Sequence, residues 1–207
     1  TYWPEFGQAG KDVITVRQLL SHQAGLVDVD GVMSLDEALD WHGVCDKLAQ
    51  TNPLWTPGDG HGYHAVTFGW LVGELVRRID GRTIGTYFAE ELAAPLGIEF
   101  WIGTPAAQHH RVAPLIGFDP IPGMGGSADA GTDAVTPSGE SDQEPRKSPS
   151  LVDMLEKVFG VGNLLGRALA APGGAFAAED AWRHPGMLEA EIPAANGVTN
   201  APSLAKL

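Results

Sequence analysis

Between Phe68 and Ile79 the apolar residues Phe68, Leu71, Val72, Leu75, Val76 and Ile79 recur at i, i+3, i+4, i+7, i+8 and i+11. That spacing is the stripe of a helix packed on a core. Directly before it runs Trp55-Thr56-Pro57-Gly58-Asp59-Gly60-His61-Gly62-Tyr63-His64-Ala65-Val66, a Pro-Gly turn followed by three glycines within residues 58–62. Tyr63 therefore stands in a loop at the mouth of a buried helix. A rigid helix fixes the phenol, and the flanking glycines let a substrate or another backbone come close. Read in isolation, such a tyrosine is a packing residue whose hydroxyl finds one partner.

The helices around this stretch announce their own ends. Thr15 and Gln18 form a T-x-x-Q capping box, with Ile14 and Leu19 as its hydrophobic staple, and the helix is expected to run to Gly25 as its stop. His22 falls in the last turn, where bonding to terminal carbonyls gives it a structural role. Ser34 and Glu37 box a second helix that should end near Asn52-Pro53. Its apolar face, Leu35, Ala38, Leu39, His42, Cys45, Leu48 and Ala49, holds the single cysteine, so a buried inert thiol is expected and no internal disulfide is possible. Asp80-Gly81 ends the third helix. Thr83 opens a fourth, with Ile84, Tyr87, Phe88 and Leu92 on one face, closed by Pro95-Leu96-Gly97. Residues Ile98 to Ile102 read as a half-buried strand.

From Pro120 to Ser150 periodicity is lost among Gly, Ser, Asp and Pro, as expected of a surface loop or lid. No phosphate cradle is encoded there, since Ala128 stands where G-x-G-x-x-G needs its last glycine. Leu151 to Phe159, Leu164 to Ala171 and Phe176 to Trp182 read as helices. The tail turns at Asn196-Gly197, and Ser203 is expected to cap a last helix to Leu207.

The Pro-Gly turn with its tyrosine resembles the segment of serine beta-lactamase-like hydrolases that carries the Tyr-x-Asn motif. Upstream, Leu19-Leu20-Ser21-His22-Gln23-Ala24-Gly25-Leu26 resembles the "LLSHTSGL" signature of the same superfamily of class C beta-lactamases, esterases and D-Ala-D-Ala peptidases. The resemblance implies an α/β parent fold, beta-lactamase/transpeptidase-like, of which this chain would be a central and mostly α-helical part with few short strands. Residues 1–207 would form a partial domain with a loop-rich insertion at about 120–150. It further implies Tyr63 as catalytic, Trp55 and His64 as substrate-pocket residues, an acyl-serine mechanism on a small ester or beta-lactam-like substrate, and no cofactor. Two departures follow. The position of the family's Asn is Ala65, which fits the esterase-like branch, and the S-x-x-K and final Lys-Thr-Gly or His-x-Gly motifs would lie outside this chain. Ser203-Leu204-Ala205-Lys206 and His184-Pro185-Gly186 match those patterns but sit in the wrong order along the chain. The rival reading is a non-catalytic binding module on the same fold.

Charge narrows the partners. Thirteen basic against 26 acidic residues give a net charge of −13. Such a chain repels phosphate backbones and anionic lipid, so neither nucleic acid nor a membrane surface is expected, and no run of 18 apolar residues offers a membrane span. His61 and His64, with His109 and His110, lack the Asp, Glu or Cys companions of a zinc site, and no metal is expected.

Overall fold

A computed structural model describes residues 2–115, 157, 160, 162–178 and 181–207. The anticipated insertion at 120–150, and the helix at 151–159 apart from residue 157, lie outside the described residues. The rest is helical as expected, joined by short 3-10 turns, with two strands of two residues each among the described residues.

Helix α1 (Val16–Leu20) begins with the capping box read from Thr15 and Gln18. It stops earlier than expected. His22 adopts φ +59°, the Gln23 N–H reaches the Gln18 carbonyl at 2.8 Å, and the His22 N–H reaches Leu19 at 3.2 Å. These are the paired bonds of a Schellman motif, so the left-handed C-terminal residue is His22 and not Gly25. Gly25 (φ +76°) instead turns the chain under Pro53 and Leu54, where an added Cβ would come within 3.1 Å of Pro53.

The second expected helix is two. Ser34 and Glu37 cap α2 (Leu35–Leu39), then Asp40 leaves helical geometry and its carboxylate caps α3 (Trp41–Gln50) by accepting from the His42 N–H at 3.2 Å. The break resets the helical phase, which leaves His42 exposed while Val44, Cys45, Leu48 and Ala49 are buried. Burial drives the Cys45 thiol far above its ordinary pKa, as the inert reading requires.

Helix α4 (Thr67–Asp80) exists as predicted but presents a different face. Thr67, Trp70, Leu71 and Glu74 are its fully buried residues, together with Gly69 and Gly73, whereas Phe68, Val72, Leu75 and Val76 are half-buried and Ile79 is 59% exposed. The glycines explain the rotation. A Cβ on Gly69 would lie 2.7 Å from the Ala194 nitrogen and one on Gly73 2.5 Å from the Trp41 ring, so this smooth side lets neighbours approach more closely than branched side chains would.

After Gly81, α5 (Ile84–Phe88) starts at the Thr83 cap, passes through a π segment (Ala89–Ala93) and ends in α6 (Ala94–Leu96) with Gly97 left-handed. The strand expected at 98–102 shortens to β1 (Phe100–Trp101), paired antiparallel with β2 (Val198–Thr199). Between them come α7 (Leu164–Ala170) and the 3-10 turn Ala181–Arg183, the latter in part of the span expected as a 176–182 helix. Asn200, not Ser203, caps α8 (Ala201–Leu204), and Ser203 Oγ accepts from the Glu99 N–H at 3.0 Å.

One hydrophobic core joins these pieces. Trp70 lies parallel to Phe176 with centroids 6.5 Å apart, and Phe176 meets Trp182 at 4.9 Å. Burying aromatics of this size contributes on the order of 2 kcal/mol each.

Candidate active site

The segment Leu19–Leu26 is the floor on which the 54–67 loop is laid. The Leu54 N–H donates to the Gly25 carbonyl at 2.8 Å, the Gly58 N–H to Gln23 at 3.1 Å and the Gly62 N–H to His22 at 3.2 Å. Trp55 Nε1 donates to the Gln23 carbonyl at 3.3 Å and Thr67 Oγ1 to Leu26 at 2.7 Å. The two stretches that resemble family signatures are thus one structural unit.

Two imidazoles complete it. The His64 N–H donates to His22 Nδ1 at 3.2 Å, and the Leu26 N–H donates to His64 Nε2 at 2.9 Å. His64 Nδ1 lies 2.6 Å from the Gly62 carbonyl, which can only accept, so the proton of this neutral ring sits on Nδ1. Burial, with smaller contributions from His22 and His61, lowers the His64 pKa to about 4, although its bond to Gly62 works in the other direction. Burial and then His61 also hold His22 below the ordinary imidazole value. Both rings accept a backbone N–H, and both therefore favour the neutral form.

Tyr63 emerges from this bracing with its side chain turned outward. The residue is 56% exposed, its ring meets His22 edge-on at 5.5 Å, and its hydroxyl bonds to no described residue. His64, expected to line a pocket, turns inward instead. It is 1% exposed, because both nitrogens are committed to backbone groups. The same commitment removes the His61 and His64 pair as metal ligands, and the described residues contain no group of three or more His, Cys, Asp or Glu placed to hold a metal.

Trp55 is half-buried beneath the loop. A Cβ on Gly62 would come within 2.5 Å of its ring and one on Gly60 within 3.0 Å. What the loop glycines admit is thus the Trp55 indole. A groove of about 300 Å³ lined by Tyr2, Trp3, Phe6, Lys11, Leu19 and Leu75 among others lies away from this loop and does not include Tyr63.

The formal matches to the missing motifs have structural employment. Ser203 is buried with its hydroxyl on the Glu99 N–H, while Lys206 is exposed. His184 Nδ1 accepts from the Gly186 N–H at 3.2 Å, capping a 3-10 turn. Sequence reasoning passed over Glu74, Lys11 and the bracing role of His22. Arg77 and Arg78, three and four residues after Glu74, were the available signal for a buried carboxylate.

The tyrosine loop, braced from below at the start of a buried helix, thus lies directly on the L-L-S-H segment. The sequence profile of the Beta-lactamase family matches residues 1–207. The chain is 34% identical over 208 residues to the esterase/beta-lactamase LipL of Mycobacterium tuberculosis, an alignment that covers all of this chain and 42% of LipL. A penicillin-binding protein homolog from Caulobacter crescentus superimposes with a TM-score of 0.64 at 38% identity, over 100% of this chain and 45% of that one. A family VIII carboxylesterase gives 0.66 at 35% identity, over 99% and 45%. The chain belongs to the Beta-lactamase family and carries its beta-lactamase/transpeptidase-like fold, spanning less than half the length of these relatives.

Proposed function

We propose that the protein carrying this chain hydrolyses small carboxylic esters through an acyl-serine intermediate, with Tyr63 in the proton relay. The nucleophilic serine and its lysine would come from an S-x-x-K motif outside residues 1–207. The observation that carries this reading is the contrast at residue 63, where an outward phenol stands on a backbone held from below on both sides. A serine hydroxyl is a weak nucleophile until a neighbouring base takes its proton, and a nearby lysine ammonium favours the phenolate able to do so. Holding the phenol's backbone in place supplies the geometry that such a transfer needs.

Ala65 supports an ester over a beta-lactam. At the position of the family's asparagine it is apolar and 7% exposed, so it offers no amide to a substrate. The name of the family VIII carboxylesterase points the same way, while that of the esterase/beta-lactamase LipL admits both substrates.

Tyr63→Phe should lower turnover of a short-chain nitrophenyl ester by about a hundredfold or more, the scale of removing a general base. Activity within twofold of wild type would remove Tyr63 from the mechanism. A fluorophosphonate probe should label one serine in the protein carrying this chain, and absence of labelling would favour a non-catalytic binding module. Residues 1–207 alone should hydrolyse no ester.

A further inference from the structure

His22 takes the backbone N–H of each residue that flanks Tyr63. Its carbonyl accepts from the Gly62 N–H at 3.2 Å, and its ring Nδ1 accepts from the His64 N–H at 3.2 Å. The first bond could be made by any residue at this position, because it uses the main chain. The second depends on the side chain. Holding that ring in place is Phe68, whose centroid lies 4.6 Å away at 33°, and on another side is the edge contact to Tyr63.

The backbone beneath this clamp is costly. His22 sits at φ +59°, as the left-handed residue that ends α1. A non-glycine residue there is disfavoured by roughly 1 kcal/mol, and glycine would relieve that strain. A helix terminator alone calls for glycine at this position. An imidazole kept there at a conformational cost is explained by the bond that its Nδ1 makes.

We propose that His22 is a positioning residue for Tyr63, clamping the backbone on both sides of the phenol so that its oxygen is presented at a fixed place. This rests on the reading of Tyr63 as the proton-relay group. His22 itself contacts no reacting atom in this scheme and acts through the loop.

The substitutions that test it follow from side-chain geometry. Asparagine tolerates the left-handed conformation and places its Oδ1 where imidazole places Nδ1, so His22→Asn should keep kcat within about threefold. Glutamine sets its acceptor at the Nε2 position, so His22→Gln should lose the clamp. His22→Gly relieves the backbone but deletes the acceptor. Its Tm should stay level or rise while kcat for a nitrophenyl ester falls about 10- to 100-fold, the scale of a misplacement near 1 Å, with KM changed less than about threefold. The double variant His22→Gly/Tyr63→Phe should be no slower than Tyr63→Phe alone, because the clamp has nothing left to position.

Full kcat in His22→Gly, or in His22→Gln should the glycine variant fail to fold, would overturn the positioning role while leaving Tyr63 in place. So would a further tenfold loss in the double variant. A Tyr63→Phe enzyme with wild-type turnover would bring down both readings together.

Discussion

The two ends of α4 are held by opposite kinds of chemistry. At its N-terminal end the Tyr63 loop hangs from neutral groups, backbone amides and carbonyls with two imidazoles that must stay uncharged. Two turns further on, the buried Glu74 carboxylate accepts from Trp41 Nε1 at 2.9 Å, from Arg77 at 2.7 Å and from Arg78 at 2.7 Å. Arg78 continues to Glu5 at 2.8 Å and lies over the Trp3 ring, which ties the N-terminal segment to the helix. The neutral end braces the Tyr63 loop without a charge of its own. The charged end serves attachment.

Acid should separate the two ends. Burial raises the Glu74 pKa, yet the hydrogen bonds from Arg77, Trp41 and Arg78 outweigh it and bring the value to about 2, against an ordinary 4.5. Its contribution to stability is therefore complete above pH 4.5 and is lost as pH falls toward 2. His64 has a folded pKa of about 4 against an ordinary 6.5. The unfolded chain takes up this proton first, so stability falls between pH 6.5 and 4 and the loss is complete below 4. Each shift corresponds to on the order of 3 kcal/mol.

The sharpest way to break the comparison is Glu74→Gln. It leaves two guanidinium groups without their carboxylate and should destabilise by about 3 kcal/mol in urea unfolding at neutral pH. A loss below about 1 kcal/mol would mean that the two arginines simply turn to solvent. Next, unfolding free energy measured from pH 7 to 2 should fall in the two windows above. His64→Gln should shrink the upper window to the smaller part that His22 contributes and leave the lower one, whereas an upper window equal in both proteins would show that the His64 imidazole is not held neutral.

A smaller effect is expected from Gly62→Ala, whose methyl must displace the Trp55 ring. Thermal unfolding should report about 1–3 kcal/mol of destabilisation, and a neutral result would place Trp55 elsewhere than under the loop. Asp40→Ala, at the break between α2 and α3, should cost only about 1 kcal/mol as a lost N-cap. Asp40 bonds to neither imidazole, though its neighbour Trp41 donates to Glu74, so the change should leave the upper acid window where it is.

Much of this was legible from short-range signals. The boxes at Thr15 and Ser34, the Thr83 cap, the existence of α4 though not its buried face, the turn into Tyr63 and the buried Cys45 all read correctly, because each depends on residues within a few positions of one another. The misreadings have a common origin. Gly25 looked like the end of α1, but His22 occupies the left-handed position and Gly25 accommodates Pro53, 28 residues later in the chain. Ser203 looked like a cap, but its hydroxyl is taken by the Glu99 N–H, 104 residues away.

By itself the sequence determined where most helices begin, that a tyrosine follows a glycine loop, and that the chain resembles a serine hydrolase family. Tertiary structure decided which side of α4 is buried, that Glu74 lies inside, and that His64 faces inward while Tyr63 faces out. Capping and periodicity are settled by neighbours along one helical turn. The direction a side chain takes is settled by whichever group meets it, and for His64 the Leu26 N–H that meets its Nε2 lies 38 residues away.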